Sequence, residues 1–147
     1  MIFFVKLIIF LLFAIIISIY DIKTYKIPLI VMYIGLIAGI VIDIFVSPRM
    51  LLFDIAAGLV NISVFLICRG MSKKGLGLGD VQYSLFCGFY SGLPFCIAAS
   101  LLASLFGLFF YAGLKLTKKN IYLIKIPFAP FMSLGCFLSI LISKYSM

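Results

Sequence analysis

The sequence predicts an all-α, polytopic membrane protein of about six transmembrane helices, and three observations carry that prediction. Hydrophobic residues fill 66% of the 147 positions and charged residues 11%, more apolar surface than a small soluble domain can bury. The apolar residues fall into long runs separated by short charged connections. Within those runs polar and apolar side chains do not alternate over about ten residues, as they do in lipid-facing barrel strands. Helices are the remaining solution, and residues 1–147 read as a single transmembrane domain.

The first run, about Ile2 to Tyr20, carries Lys6 near its start and has the look of a signal peptide. The apolar stretch after Lys6 is nearly a full span, however, and no small-x-small cleavage site precedes Asp21, so the run is expected to stay in the membrane. The connection Asp21 to Pro28 holds Lys23 and Lys26, with Pro28 suited to the first turn of a second helix, about Leu29 to Val46. After Ser47-Pro48-Arg49 a third run, about Leu51 to Cys68, contains Asp54 and Asn61. Arg69 to Asp80 forms a polar connection that ends in Gly75-Leu76-Gly77-Leu78-Gly79-Asp80.

From Val81 to Leu114 no charge occurs, and 34 residues give roughly 50 Å of helix against a hydrocarbon core of about 30 Å. A break is therefore expected at Ser91-Gly92-Leu93-Pro94, making a short fourth helix and a longer fifth. A fourth helix from Asp80 to Ser91 is only roughly 18 Å long, which favours an Asp80 set below the membrane surface, with the glycines lining a wet, protein-walled cavity. A lysine-rich connection, Lys115 to Lys125, precedes a sixth run, about Ile126 to Ile142.

Charge gives the orientation. The net charge of +8 is spread over connections and forms no continuous basic face, so membrane topology accounts for it and nucleic acid is not an expected partner. Connections one, three and five share one side and hold nine of the twelve basic residues, which makes that side cytoplasmic and both termini extracytoplasmic. Asp21 and Asp80 then belong to the cytoplasmic end, where they can meet.

The chain has four acids, all Asp, and neither His nor Glu. His-dependent hydrolases, zinc proteases and most transition-metal sites are excluded, and no cofactor is implied. Cys68, Cys87, Cys96 and Cys136 form no Cys-x-x-Cys pair and read as small core residues. Two carboxylates held close together share one proton, giving an acid and a base at once. Such a pair can hydrolyse a peptide bond without metal, His or covalent intermediate. Helix polarity assigns Asp80, near a helix N-terminus, as the anion and Asp21, near a helix C-terminus, as the acid. The competing use of the same two aspartates is proton or cation handling in a non-catalytic subunit or small transporter. Asp43 and Asp54 flank Arg49 near the opposite end, where they read as solvated or paired with it. Asn61 reads as a helix-to-helix hydrogen bond.

Asp21 with Lys26-Ile27-Pro28, then Gly77-Leu78-Gly79-Asp80-Val81, then Ile126-Pro127-Phe128-Ala129-Pro130-Phe131, resembles the type IV prepilin peptidases, membrane aspartyl proteases with a GxGD motif. Order, spacing and number of spans agree over essentially the full length. The resemblance implies that Asp21 and Asp80 are the catalytic pair, with Gly77, Gly79, Pro127 and Pro130 in the substrate-binding or loop elements around them. It implies a multi-pass enzyme of the prokaryotic inner membrane that clips the basic leader from prepilin, pseudopilin or preflagellin precursors. The glycine loop could hold an extended substrate segment through main-chain hydrogen bonds. Family members often have Asn where this chain has Leu29 and Lys where it has Gln82. The larger, bifunctional members carry a Cys-x-x-Cys-containing insertion and also methylate the product. Residues 1–147 contain no such insertion, which leaves peptidase activity alone as the expectation.

Overall fold

The computed structural model describes residues 2–71, 76–117 and 126–146, which form six α-helices: α1 (Ile2–Thr24), α2 (Leu29–Val46), α3 (Pro48–Met71), α4 (Leu78–Ser91), α5 (Phe95–Thr117) and α6 (Ala129–Ser146). Helices α1, α2, α3 and α5 are long and apolar enough to cross a membrane, and α6 is a shorter apolar helix. The protein is thus the all-helical, multi-pass membrane protein that its composition predicts. The uncharged stretch after Asp80 breaks where expected, between Ser91 and Phe95. Gly92 takes φ of +67° there, a left-handed conformation that suits glycine and ends α4.

Several helix ends differ from the hydropathy boundaries, three of them with a clear local cause. α1 continues past Tyr20 to Thr24, because Asp21 and Lys23 end the uncharged run without introducing a helix-breaking residue. Its end is set by Tyr25, with φ of +53° and its N–H bonded to the Asp21 carbonyl at 2.8 Å. α3 starts at Pro48, since proline fits a first turn. α6 starts at Ala129, later than Ile126, and the carbonyl of Phe128 accepts from Phe131 and Met132. Pro130, lacking an N–H, is tolerated in this first turn because it has no intrahelical bond to lose.

Helix α4 organises the bundle. It is 14 residues long, about 21 Å, and packs against each of the other five helices. Its side chains are therefore surrounded by protein: Tyr83, Ser84, Phe86 and Phe89 are all buried. Along α3 the approach is closest at Gly88, where a Cβ would stand 2.7 Å from the Asn61 Cβ and 2.8 Å from the Ala57 carbonyl oxygen. Asn61 uses that proximity, donating to the Ser84 carbonyl of α4 at 2.8 Å and accepting from Ser100 of α5. It is the interhelical hydrogen-bonding residue the sequence suggests. Three cysteines are core residues, whereas Cys68 is exposed on the outer face of α3.

The end of the bundle formed by the N-terminal parts of α1 and α3 and the C-terminal part of α2 holds a buried charge cluster, and it corrects the reading of Asp43 and Asp54. Their partner is Lys6 of α1: its Nζ lies 2.7 Å from Asp43 Oδ1, 2.9 Å from Asp43 Oδ2 and 2.7 Å from Asp54 Oδ2. Arg49 is exposed. Asp43 is fully buried, so it needs a cation within the bundle, and Lys6 supplies it while also lying 5.3 Å above the Phe89 ring. A cleft of about 560 Å³ opens beside Lys6 and Asp54.

Candidate active site

Asp80 and Asp21 lie at the other end of the bundle. Asp80 occupies the third position of α4, whose N-cap is Gly77 in an extended conformation. Its carboxylate turns back to accept from the Gly77 N–H, the acidic half of a capping box. A Cβ at Gly77 would stand 2.7 Å from Asp80 Oδ2, so this turn needs glycine. The second glycine serves a different contact. At Gly79 a Cβ would lie 3.3 Å from the Ile27 Cβ, tight against the α1–α2 connection. The two glycines thus make room on two sides: Gly77 admits the Asp80 side chain, and Gly79 admits the side chain of Ile27.

Asp21 lies inside the last turn of α1 and is only 4% exposed. Its Oδ2 accepts from the Ala129 N–H at 3.0 Å, across 108 residues of sequence, and the Phe128 N–H also bonds its carboxylate. These are unpaired donors of the first turn of α6, so Asp21 sits on the positive end of a helix dipole. That removes the basis for dividing roles by helix polarity, because both aspartates face a helix N-terminus, Asp80 that of α4 and Asp21 that of α6.

The two carboxylates interact electrostatically and are not hydrogen-bonded to one another. Among the described residues neither has an ion-pair partner. Like charges so placed repel one another. No group of three or more His, Cys, Asp or Glu among the described residues has the arrangement of a metal site.

Gly77 and Gly79 therefore stand directly beside Asp80. Pro127 lies in the non-helical stretch before α6, next to the residues that bond Asp21, while Pro130 lines a groove of about 430 Å³ between α1 and α6 with Ser18, Ile19 and Ser133. Gly75 and Lys73, Lys74, Lys118, Lys119 and Lys125 fall outside the described residues. The main-chain N–H of Ala129 and the side chain of Ile27 are contributions that residue type does not announce. Their signal in the sequence is adjacency, each lying within a motif already quoted.

The chain is thus an all-helical membrane bundle with two buried or half-buried aspartates near one end and, among the described residues, no basic side chain paired with either. Its family follows from comparison: the model of the type IV leader peptidase family matches residues 8–112, which include both aspartates and most of the described helices, and the chain belongs to that family. It is a membrane peptidase by family. The match ends before residues 126–131, the stretch that supplies the hydrogen bonds to Asp21. A search of the curated proteins and of the solved structures finds no match.

Proposed function

We propose that the protein is an aspartyl endopeptidase that removes the basic leader of prepilin-like, pseudopilin-like or preflagellin-like precursors at the cytoplasmic face of a prokaryotic cell membrane. The observation that carries this reading is the convergence of Asp21 and Asp80 at one end of the bundle in a chain of the leader peptidase family. Basic residues in the first, third and fifth connections support a cytoplasmic position for that end. Among the described residues no basic side chain pairs with either carboxylate, which suits a basic substrate that brings its own positive charge.

In the proposed reaction the ionised carboxylate removes a proton from water as the oxygen attacks the scissile carbonyl. The protonated carboxyl donates to the carbonyl oxygen as it becomes an oxyanion. Collapse of the tetrahedral species breaks the C–N bond, and the leaving amine takes a proton from the carboxyl that had received it from water. The pair is then ready for the next water. The first turn of α4, whose leading N–H groups have no intrahelical partner, offers main-chain donors beside this chemistry for an extended peptide.

The test is cleavage of candidate precursors by the protein reconstituted in liposomes, with the product N-terminus sequenced. Asp21→Asn and Asp80→Asn are each expected to reduce cleavage by about 10²–10⁴-fold while the protein still inserts and folds. Full processing by either variant would sink the mechanism and favour proton or cation handling by the same pair.

A further inference from the structure

We propose that Tyr83, Ser133 and Ser18 form a three-helix hydroxyl junction that sets the separation of Asp21 and Asp80, which makes Tyr83 and Ser133 positioning residues of the peptidase. The kinetic part of this inference rests on the function proposed above; the geometric part does not.

Each member lies one helical turn below a component of the pair. Ser18 precedes Asp21 by three residues on α1, Tyr83 follows Asp80 by three on α4, and Ser133 follows Ala129 by four on α6. At those spacings each shares a helix face with the group above it, about 4.5–6 Å deeper in the bundle. The three therefore occupy one layer. The Tyr83 hydroxyl lies 2.8 Å from Ser133 Oγ, and Ser18 Oγ lies 2.9 Å from the same atom.

Proton counting gives the bonds a direction. Ser133 donates to the Ala129 carbonyl at 2.8 Å. A serine hydroxyl has one proton, so with it committed there, Ser133 Oγ accepts in both other contacts, and Tyr83 and Ser18 are the donors. One oxygen thus joins all three helices with its full capacity used. The junction also reaches the pair through Ala129, whose carbonyl accepts from Ser133 and whose N–H bonds Asp21. Tyr83 is fully buried and stacked on Phe86, with ring centroids 5.5 Å apart, so its hydroxyl has little freedom to move elsewhere.

Two carboxylates that exchange protons with one water must keep their spacing, and a displacement of about 1 Å is worth about 10²-fold in rate. Loss of the Tyr83 hydroxyl unties α4 from α1 and α6 at this layer without emptying the core.

The decisive experiment compares wild-type protein with Tyr83→Phe and Ser133→Ala in liposomes. Expected is a fall in kcat of about 10- to 100-fold with KM changed by less than about twofold, as uniform binding is untouched. The two limbs of the pH–rate profile should also draw together as the carboxylates separate, and Ser133→Thr, which keeps the hydroxyl, should recover most of kcat. A folded Tyr83→Phe protein with unchanged kcat and limb spacing would overturn the inference. Independently of cleavage, spin labels at Ile22→Cys and Leu78→Cys, in a Cys68→Ser background, report the distance between the ends of α1 and α4. Tyr83→Phe should broaden that distribution, and an unchanged one counts against the junction. Cleavage that survives Asp80→Asn defeats the peptidase reading alone, since the distance measurement decides the junction either way.

Discussion

The bundle holds all four of its acids in two pairs, one at each end, and the pairs are treated in opposite ways. Asp43 and Asp54 share Lys6, which lies 2.7 Å from a carboxylate oxygen of each. Asp21 and Asp80 are met by main-chain N–H groups at two helix N-termini and by no basic side chain among the described residues. An ion pair inside a bundle holds charge still: both partners are committed, and neither is free to exchange a proton. Amide donors hold a carboxylate in place while leaving its protonation open to the other carboxylate and to water. In the proposed reading the same residue type is thus a strut at one end and a reactive pair at the other, and the difference lies in what faces it.

The largest effect that could break this comparison comes from exchanging the pairs' roles. Asp80→Asn is expected to lower cleavage by about 10²–10⁴-fold with stability nearly unchanged, whereas Asp43→Asn should leave cleavage within about threefold and lower stability by about 1–3 kcal/mol. Cleavage assays and chemical denaturation in bicelles on both variants check the crossing. Lys6→Met comes next. It strands two acids with no counter-ion and should destabilise the bundle by about 3–5 kcal/mol, much of which Lys6→Met with Asp43→Asn and Asp54→Asn together should restore.

Gly77→Ala tests whether the capping turn, and not the carboxylate alone, prepares Asp80. Its Cβ would collide with Asp80 Oδ2 at 2.7 Å, so a loss of kcat of about tenfold or more is expected. Gly79→Ala meets Ile27 at 3.3 Å, where a side chain can give by a few tenths of an ångström, and its loss should be smaller. A bell-shaped pH dependence of cleavage is expected at the Asp21 end. Activity falls in acid as both carboxyls protonate and in alkali as both ionise, with apparent constants that belong to the pair. The smallest expected effect is Arg49→Ala, which should leave cleavage and stability unchanged within error because Arg49 is exposed and Lys6 has taken the partners beside it.

Much of the fold is legible along the chain because helix number, rough length and sidedness in a membrane depend on local runs of apolar residues and on where Lys and Arg interrupt them. The break at 91–94 and the convergence of Asp21 with Asp80 follow from that one-dimensional information. What the chain conceals is which helix faces meet. Lys6 reaches acids 37 and 48 residues away, and nothing near Asp43 or Asp54 signals it, so the adjacent Arg49 was the natural but incorrect partner. Asp21 is readable as a candidate site residue from its position. Its partner is not, since a main-chain N–H at Ala129 has no side-chain signature. Helix polarity failed for the same reason: the dipole that acts on Asp21 belongs to α6, not to the helix that carries it.

The bond between Asp21 and Ala129 has a consequence for biosynthesis. The donor to Asp21 is made 108 residues after it, which at about 5–20 residues per second is a delay of about 5–20 s. Asp21 therefore gains its main-chain donor only once the start of α6 has been made.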